Sequence, residues 1–310
     1  MGENAIIDQI PLSDELAKHF RLDMLREDLA HLFEDFEAGE MSGNKWRKLK
    51  YNIQYAKKQG FSRILTFGGA FSNHIAATAA AGEAYGVATI GVIRGEPFEQ
   101  LNPTLQKAVD RGMQLVYMDR EKYRMKDRLS QRLWLENTYG PAYIIPEGGS
   151  NQLGVKGCEE MMQGFAAEYD YFICSVGTGA TLAGIINAMS PEQHAIGVSA
   201  LKGAFNISEN IQEWLTEPGK SWEINHDYHF GGYAKVNPDL IEFINSFKKQ
   251  HKIQLDPVYT GKMVYASLDL LLKKHIPEGS KVLMIHTGGQ QGIAGMNMNL
   301  KRKGMQTIEV

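Results

Sequence analysis

The chain reads as an α/β fold of two units, each a mostly parallel sheet covered by helices on both faces. Three features predict it. Short apolar runs alternate with longer helical stretches, the pattern of parallel strands buried on both sides. Several helical stretches stop at a glycine, as at Gly60, Gly86, Gly112 and Gly140, where a left-handed C-terminus is easily made. The alternation pauses at Pro146-Glu147-Gly148-Gly149 and then restarts, so the simplest architecture breaks near residue 150. The binding cleft is expected between the units, at the C-terminal ends of strands.

The elements follow in order. Residues 1–20 read as a leader with one short helix over 14–20, then a strand over 21–25 and an acidic loop over 34–40. A helix is expected over 45–59. Strands over 64–67, 88–92, 114–117 and 142–145 alternate with helices over 74–85, 104–111 and 124–138. In the second half, helices are expected over 155–168, 182–189, 238–251 and 262–274, with strands over 171–176, 194–200 and 281–285. Residues 203–227 look less regular, and no fixed-period repeat or low-complexity tract interrupts the chain.

Composition narrows the classes. With 310 residues, 43% hydrophobic and 22% charged, the chain resembles a soluble globular protein of two ordinary domains. A net charge of −3 offers no electrostatic case for nucleic acid or an anionic membrane. No apolar run approaches the roughly 18 residues a spanning helix needs. The first twelve residues lack the basic-then-apolar layout of a secretory signal. Cys158 and Cys174 alone suit buried cytosolic thiols better than a disulfide framework.

The candidate chemistry centres on Ser42-Gly43-Asn44-Lys45-Trp46-Arg47-Lys48-Leu49. Lys45, Arg47 and Lys48 fall in the first turn of a helix, where the dipole disfavours cations. Such crowding favours a neutral amine, which Schiff-base chemistry needs. The plain alternative is a solvated basic turn. Thr178-Gly179-Ala180-Thr181 lies where a strand feeds a helix and could cradle an anion with backbone N–H groups and hydroxyls. An ordinary strand–helix turn would look the same. The loop lacks a Gly-Lys-Ser/Thr and has the wrong spacing for a dinucleotide, with Lys202 where an acid should hold a ribose, so a small phosphate suits it better. Gly68-Gly69-Ala70-Phe71-Ser72-Asn73-His74 ends a strand facing the expected cleft. There Ser72 or Asn73 could equally be a helix cap. His226 and His229 lack a nearby third ligand and read as surface or core histidines, so no metal site is expected.

Together with Arg26-Glu27-Asp28, Ser175-Val176-Gly177, Asp256-Pro257-Val258-Tyr259-Thr260-Gly261-Lys262 and His286-Thr287-Gly288-Gly289, these segments resemble one family, in its order and over most of the chain. It is the fold-type II, pyridoxal-phosphate-dependent group containing 1-aminocyclopropane-1-carboxylate (ACC) deaminase and D-cysteine desulfhydrase. The resemblance implies a tryptophan synthase β-like fold of two three-layer α/β/α domains, with pyridoxal 5′-phosphate in the cleft between them. Residues 50–153 would form the smaller domain, and 1–49 with 154–310 the larger one.

By motif, Lys45 would hold the cofactor, and Lys48, Thr178, Gly179, Ala180 and Thr181 its phosphate. Asn73 would meet the 3′-oxygen, and Thr287 would lie near the pyridine ring. Ser72 would bind the substrate carboxylate or assist proton transfer. Tyr259 would border the substrate, with Asn73 and His74 beside it. Arg47 would stay structural. Two departures stand out. The spacing from Asp28 to Gly43 is longer than usual, and Met284 aligns where ACC deaminase-like members carry a second active-site tyrosine. Methionine moves no proton, which weighs against opening a cyclopropane ring.

The expectation is a lyase acting on a small amino acid, D-cysteine desulfhydrase-like, releasing pyruvate, ammonia and hydrogen sulfide. The alternatives are an ACC deaminase giving 2-oxobutanoate and ammonia, or a catalytically weak cofactor-binding homologue. The resemblance also implies a cytoplasmic homodimer.

Overall fold

The computed structural model describes residues 5–30, 43–97 and 99–310. The acidic stretch 34–40, Ser42 and the start of the leader lie outside the described residues.

The leader contributes sheet as well as a turn. β1 (Ile7–Gln9) runs antiparallel to β2 (Arg21–Arg26), and the expected helix over 14–20 is only a 3-10 turn at Leu16–Lys18. Next come α1 (Asn44–Lys58), β3 (Arg63–Gly68), α2 (Asn73–Tyr85), β4 (Ala88–Arg94), α3 (Pro103–Asp110) and β5 (Gln114–Met118).

The single helix expected over 124–138 is two, α4 (Arg120–Arg124) and α5 (Leu129–Tyr139). Asp119 caps the first through the N–H groups of Glu121 and Lys122. Extended backbone at Arg128 then separates the second.

After β6 (Tyr143–Ile145), α6 (Gln152–Glu160) starts three residues earlier than expected because Asn151 accepts from the Gly154 N–H. It stops short of 168, where only a 3-10 turn at Ala166–Glu168 remains. β7 (Tyr171–Val176), α7 (Ala180–Ala188) and β8 (His194–Ser199) follow. The stretch expected to be irregular contains α8 (Ile207–Trp214) and β9 (Ser221–Asn225). The chain ends with α9 (Pro238–His251), α10 (Thr260–Leu272), β10 (Lys281–His286) and α11 (Gly292–Arg302). The last helix, rich in glycine and asparagine, was not expected. It is held by burial of Ile293 and Leu300 rather than by propensity.

Two sheets result, a six-stranded one in the order β1-β2-β10-β7-β8-β9 and a four-stranded one in the order β5-β4-β3-β6. Every pairing except β1–β2 is parallel. The break is therefore not a simple cut near residue 150, since β1 and β2 join the strands that come after it.

Alternation in the strands sorts the core into faces. In the large sheet Met24, Ile173, Val282 and Met284 pack with α9 and α10, while Leu25, Phe172, Cys174, Leu283 and Ile285 pack with α6 and α7. In the small sheet Ile64 and Ile145 meet α1 and α2, while Leu65, Phe67, Ile90 and Val92 face α5 through Leu135. Helices cover both faces of each sheet. Each fully buried aliphatic side chain contributes about 1.5–3 kcal/mol. Cys158 and Cys174 are buried and free. Among the described residues no helix is long and apolar enough to cross a membrane.

Candidate active site

Strand ends from both sheets and the N-termini of α1, α2 and α7 open onto one cavity of about 340 Å³. Lys45, Lys48, Ser72, Asn73, His74, Thr178, Gly179, Thr181, Tyr259 and Thr287 line it. Of the residues expected to hold the cofactor or the substrate, only Ala180 does not. It is fully buried, and its contribution is the backbone of the first turn of α7.

The lysine turn is pinned from two sides. The Gly43 N–H donates to the Glu27 carbonyl at 2.8 Å, and the Asn44 N–H to the Thr287 carbonyl at 3.3 Å. Gly43 has φ +84, and a Cβ there would sit 2.5 Å from the Thr287 oxygen, so no other residue fits without moving the turn. Arg47 turns out of the cavity and grips Glu27 with two hydrogen bonds of 3.0 and 3.1 Å. Next to it, Arg26 holds Asp28 at 2.9 and 2.8 Å. The Arg26-Glu27-Asp28 motif is thus the clamp that seats the lysine helix.

The Lys45 amine is pushed down to about 7, first by burial and second by the charge of Lys48. The sequence points to cation crowding alone. Enclosure proves the larger cause, and Arg47 is spent on Glu27. Lys48, one turn on, is 2% exposed and is lowered by burial as well.

Gly179, at φ +94, precedes α7, and no side chain caps that helix. Its first N–H groups therefore remain available at the cavity wall, with the helix dipole behind them. A Cβ at Gly179 would come 2.8 Å from Ile211. The Thr178 hydroxyl hydrogen-bonds Ser150.

Ser72 is the N-cap of α2 and accepts from the Ile75 N–H at 3.3 Å, so the capping alternative is realised while the residue still lines the cavity. Asn73 has a buried Oδ1 with no partner among the described residues. His74 is 2% exposed, and burial holds its ring neutral, with the charges of Lys45 and Lys48 adding to the effect. Its Nε2–H donates to the Thr66 hydroxyl at 2.8 Å, while that hydroxyl donates to the Ile145 carbonyl. What His74 can still offer is a neutral acceptor at Nδ1.

Tyr259 is set by Asp256, whose carboxylate accepts from the N–H groups of Val258, Tyr259 and Thr260 at 2.8 to 2.9 Å. Its ring meets that of Tyr233 edge-on, with the ring centres 6.2 Å apart. Burial first, then Tyr233, hold the Tyr259 phenol well above its ordinary value. Met284 is fully buried in the core of the large sheet and does not line the cavity. The second tyrosine in the cavity is Tyr233.

Sequence reasoning missed Tyr233, Arg94 and Glu147, all of which line the cavity. A signal existed for two of them. Arg94 and Glu147 stand at the C-terminal ends of β4 and β6, where open α/β sheets bind ligands. Tyr233 comes from a loop that no pattern placed. Among the described residues no cluster of His, Cys, Asp and Glu is arranged to hold a metal.

The family model described as pyridoxal-phosphate dependent enzyme matches residues 28–288. A Thermotoga maritima relative, named provisionally as a 1-aminocyclopropane-1-carboxylate deaminase, is 30% identical over 301 residues, 91% of this chain and 92% of its own. The Arabidopsis thaliana mitochondrial bifunctional D-cysteine desulfhydrase/1-aminocyclopropane-1-carboxylate deaminase is 29% identical over 287 residues, 84% of this chain and 72% of its own. A crystal structure described as an ACC deaminase homologue superposes with a TM-score of 0.81 at 26% identity, covering 96% of this chain and 93% of that one.

The residues present fit pyridoxal phosphate. The cavity offers a near-neutral lysine for an aldehyde, an uncapped helix N-terminus for a phosphate, and an orphaned buried Asn73 oxygen.

Proposed function

The chain belongs to the pyridoxal-phosphate-dependent enzyme family, with pyridoxal phosphate as its cofactor, and on that premise we propose that it is a lyase of small amino acids, D-cysteine desulfhydrase-like in its reaction. The observation that carries this reading is Lys45, an amine brought to about 7 in the same cavity as Ser72 and Tyr259. Near neutral pH such an amine can both bond to an aldehyde and accept a proton.

When bound, pyridoxal phosphate supplies an electron sink for the charge left at the substrate's α-carbon. Lys45 would hold it, Lys48 with Thr178, Gly179, Ala180 and Thr181 at the N-terminus of α7 would take its phosphate, and Asn73 and Thr287 would contact its ring. Ser72, at the N-terminus of α2, holds the substrate carboxylate, and His74 forms a neutral wall beside it. Lys45 takes the α-proton at Nζ. The carbon–sulfur bond then breaks with its electron pair on sulfur, and water converts the remaining unsaturated amine to pyruvate and ammonia. Tyr259 borders the leaving sulfur and, with Tyr233, restricts water.

A second reading is ACC deaminase. The Tyr233–Tyr259 pair in the cavity favours it, because opening a cyclopropane needs proton donors and acceptors around the ring. Met284, where the resemblance places a second tyrosine, lies in the core outside the cavity and so does not decide between the two readings. One assay separates the two. Purified holoenzyme is given D-cysteine, L-cysteine and ACC, and pyruvate with sulfide is measured against 2-oxobutanoate. Sulfide from D-cysteine supports the first reading and 2-oxobutanoate from ACC the second. Yellow protein inert to a panel of D- and L-amino acids would leave only a catalytically weak cofactor-binding homologue.

The same reading carries a cytoplasmic homodimer, which light scattering and cell fractionation test. It also carries a division into a domain of residues 50–153 and one of 1–49 with 154–310, although α1 runs unbroken across that boundary.

A further inference from the structure

Three cations line the cavity among the described residues, namely Lys45, Lys48 and Arg94. In the function proposed above the first two serve the cofactor. Arg94 has no such duty. It is the last residue of β4, exposed, and no described carboxylate lies within ion-pair distance of it. Its guanidinium carbon is 6.0 Å from the centre of the buried Tyr123 ring. On the same ring sits Lys126, with Nζ 5.0 Å from the centre. The Lys126 charge is answered, by Glu147 at 3.1 Å and by Asp127 at 3.6 Å. The Arg94 charge is not, so this wall of the cavity carries an uncompensated positive charge.

Its position relative to the rest of the site is set by strand register. Ile93 pairs with Gly68, the last residue of β3, from which the chain runs directly to Ser72 and Asn73. Arg94 therefore lies one strand over from the carboxylate end of the site. Tyr233, Tyr259 and Glu147 line the same cavity. Glu147, the one carboxylate lining it among the described residues, is committed to Lys126.

We propose that Arg94 is a specificity-determining residue that binds a second anionic group, a carboxylate at the far end of the substrate's side chain. The preferred substrates are then amino acids with a carboxyl-bearing side chain. The inference rests on the function proposed above, in which Ser72 and the N-terminus of α2 occupy the α-carboxylate. A guanidinium offers a carboxylate two parallel charge-assisted hydrogen bonds. Because Arg94 is exposed at the mouth, water and salt moderate the gain.

The test uses two probes of nearly equal shape, S-carboxymethyl-cysteine and its neutral amide, S-carbamoylmethyl-cysteine, each as both enantiomers. Dissociation constants are read from the change in absorbance of the bound cofactor in the holoenzyme, so that turnover is not required. In the wild type at least one enantiomer of the carboxylate should bind about tenfold tighter than its amide, a single charge-assisted contact being of that order. High salt should shrink the gap. Arg94→Gln should bring the two probes to within about twofold of each other, the larger loss falling on the carboxylate, and Arg94→Lys should keep part of the preference.

Equal binding of the two probes by the wild type, or no binding of either, overturns the inference. So does an equal loss for both in Arg94→Gln. The two proposals fail separately. A charge preference without keto-acid release from any substrate sinks the lyase reading alone. Turnover of D-cysteine without a charge preference sinks this inference alone.

Discussion

The Asn44 side-chain amide donates to the Thr181 hydroxyl at 2.8 Å, and both residues are buried. This one contact ties the first turn of α1, which carries Lys45, to the first turn of α7, although 137 residues separate the two in the chain. It sets the distance between the lysine and the N-terminus of α7. Asn44→Leu should leave the Thr181 hydroxyl without its donor, a cost of about 1–3 kcal/mol. The loss should appear mainly as weaker cofactor retention. Titrating cofactor-free protein with pyridoxal phosphate and reading absorbance checks it, and unchanged affinity would mean that the contact does not set the site.

Lys45→Ala should abolish both turnover and the yellow absorbance of the lysine-bound cofactor, while the protein remains folded. The alanine fits because the backbone turn is held by Glu27 and Thr287 rather than by the lysine side chain. A variant that keeps both properties would remove Lys45 from the mechanism.

The Lys45 amine lies near 7 instead of its ordinary 10.5. Formation of the lysine–cofactor bond in cofactor-free protein should therefore speed up with a midpoint near pH 7. Lys48→Met should move that midpoint upward, since the Lys48 charge is the second cause of the depression. Stability follows the same sign. Between about pH 7 and 10.5 the unfolded chain binds the proton that the folded chain refuses, so the Lys45 contribution to stability rises with pH across that window. It is most unfavourable, and constant, below about 7. Melting curves of cofactor-free wild type and Lys45→Met should show a flatter pH dependence in the variant.

Lys262 is fully buried in α10 and donates to the carbonyls of His229 and Gly232, each at 2.9 Å. Burial draws its amine down to about 8. The loop it holds has φ of +51 at Phe230 and +53 at Ala234, conformations that non-glycine residues enter at a cost. The anchor supports that loop and with it Tyr233. Lys262→Met should lower kcat, because Tyr233 loses its support beside Tyr259, while the cofactor absorbance stays. Tyr233→Phe should reproduce the kcat effect without the faster amide exchange expected over 229–235 in the lysine variant. Normal turnover in Tyr233→Phe would leave Tyr233 as cavity wall only.

Much of this could be read along the chain because it depends on local pattern. The strand–helix alternation follows from side-chain periods of two and 3.6, and glycine stops follow from backbone sterics. The lysine turn, the Thr178–Thr181 loop and the Ser72-Asn73 pair each lie at an element boundary that those patterns mark. Tertiary structure decided the rest. α11 and β9 exist through packing that their own propensities do not foretell. The leader joins the larger sheet because β2 pairs with β10, a contact between the two ends of the chain. Lys45 is drawn toward neutrality mainly by enclosure, and enclosure is a property of several distant segments together. Tyr233, Arg94 and Glu147 meet in the cavity from three separate elements, so no single stretch of sequence could announce them. Local sterics and hydrophobic period determined the framework, while burial and long-range pairing determined which of its charged and aromatic groups share a site.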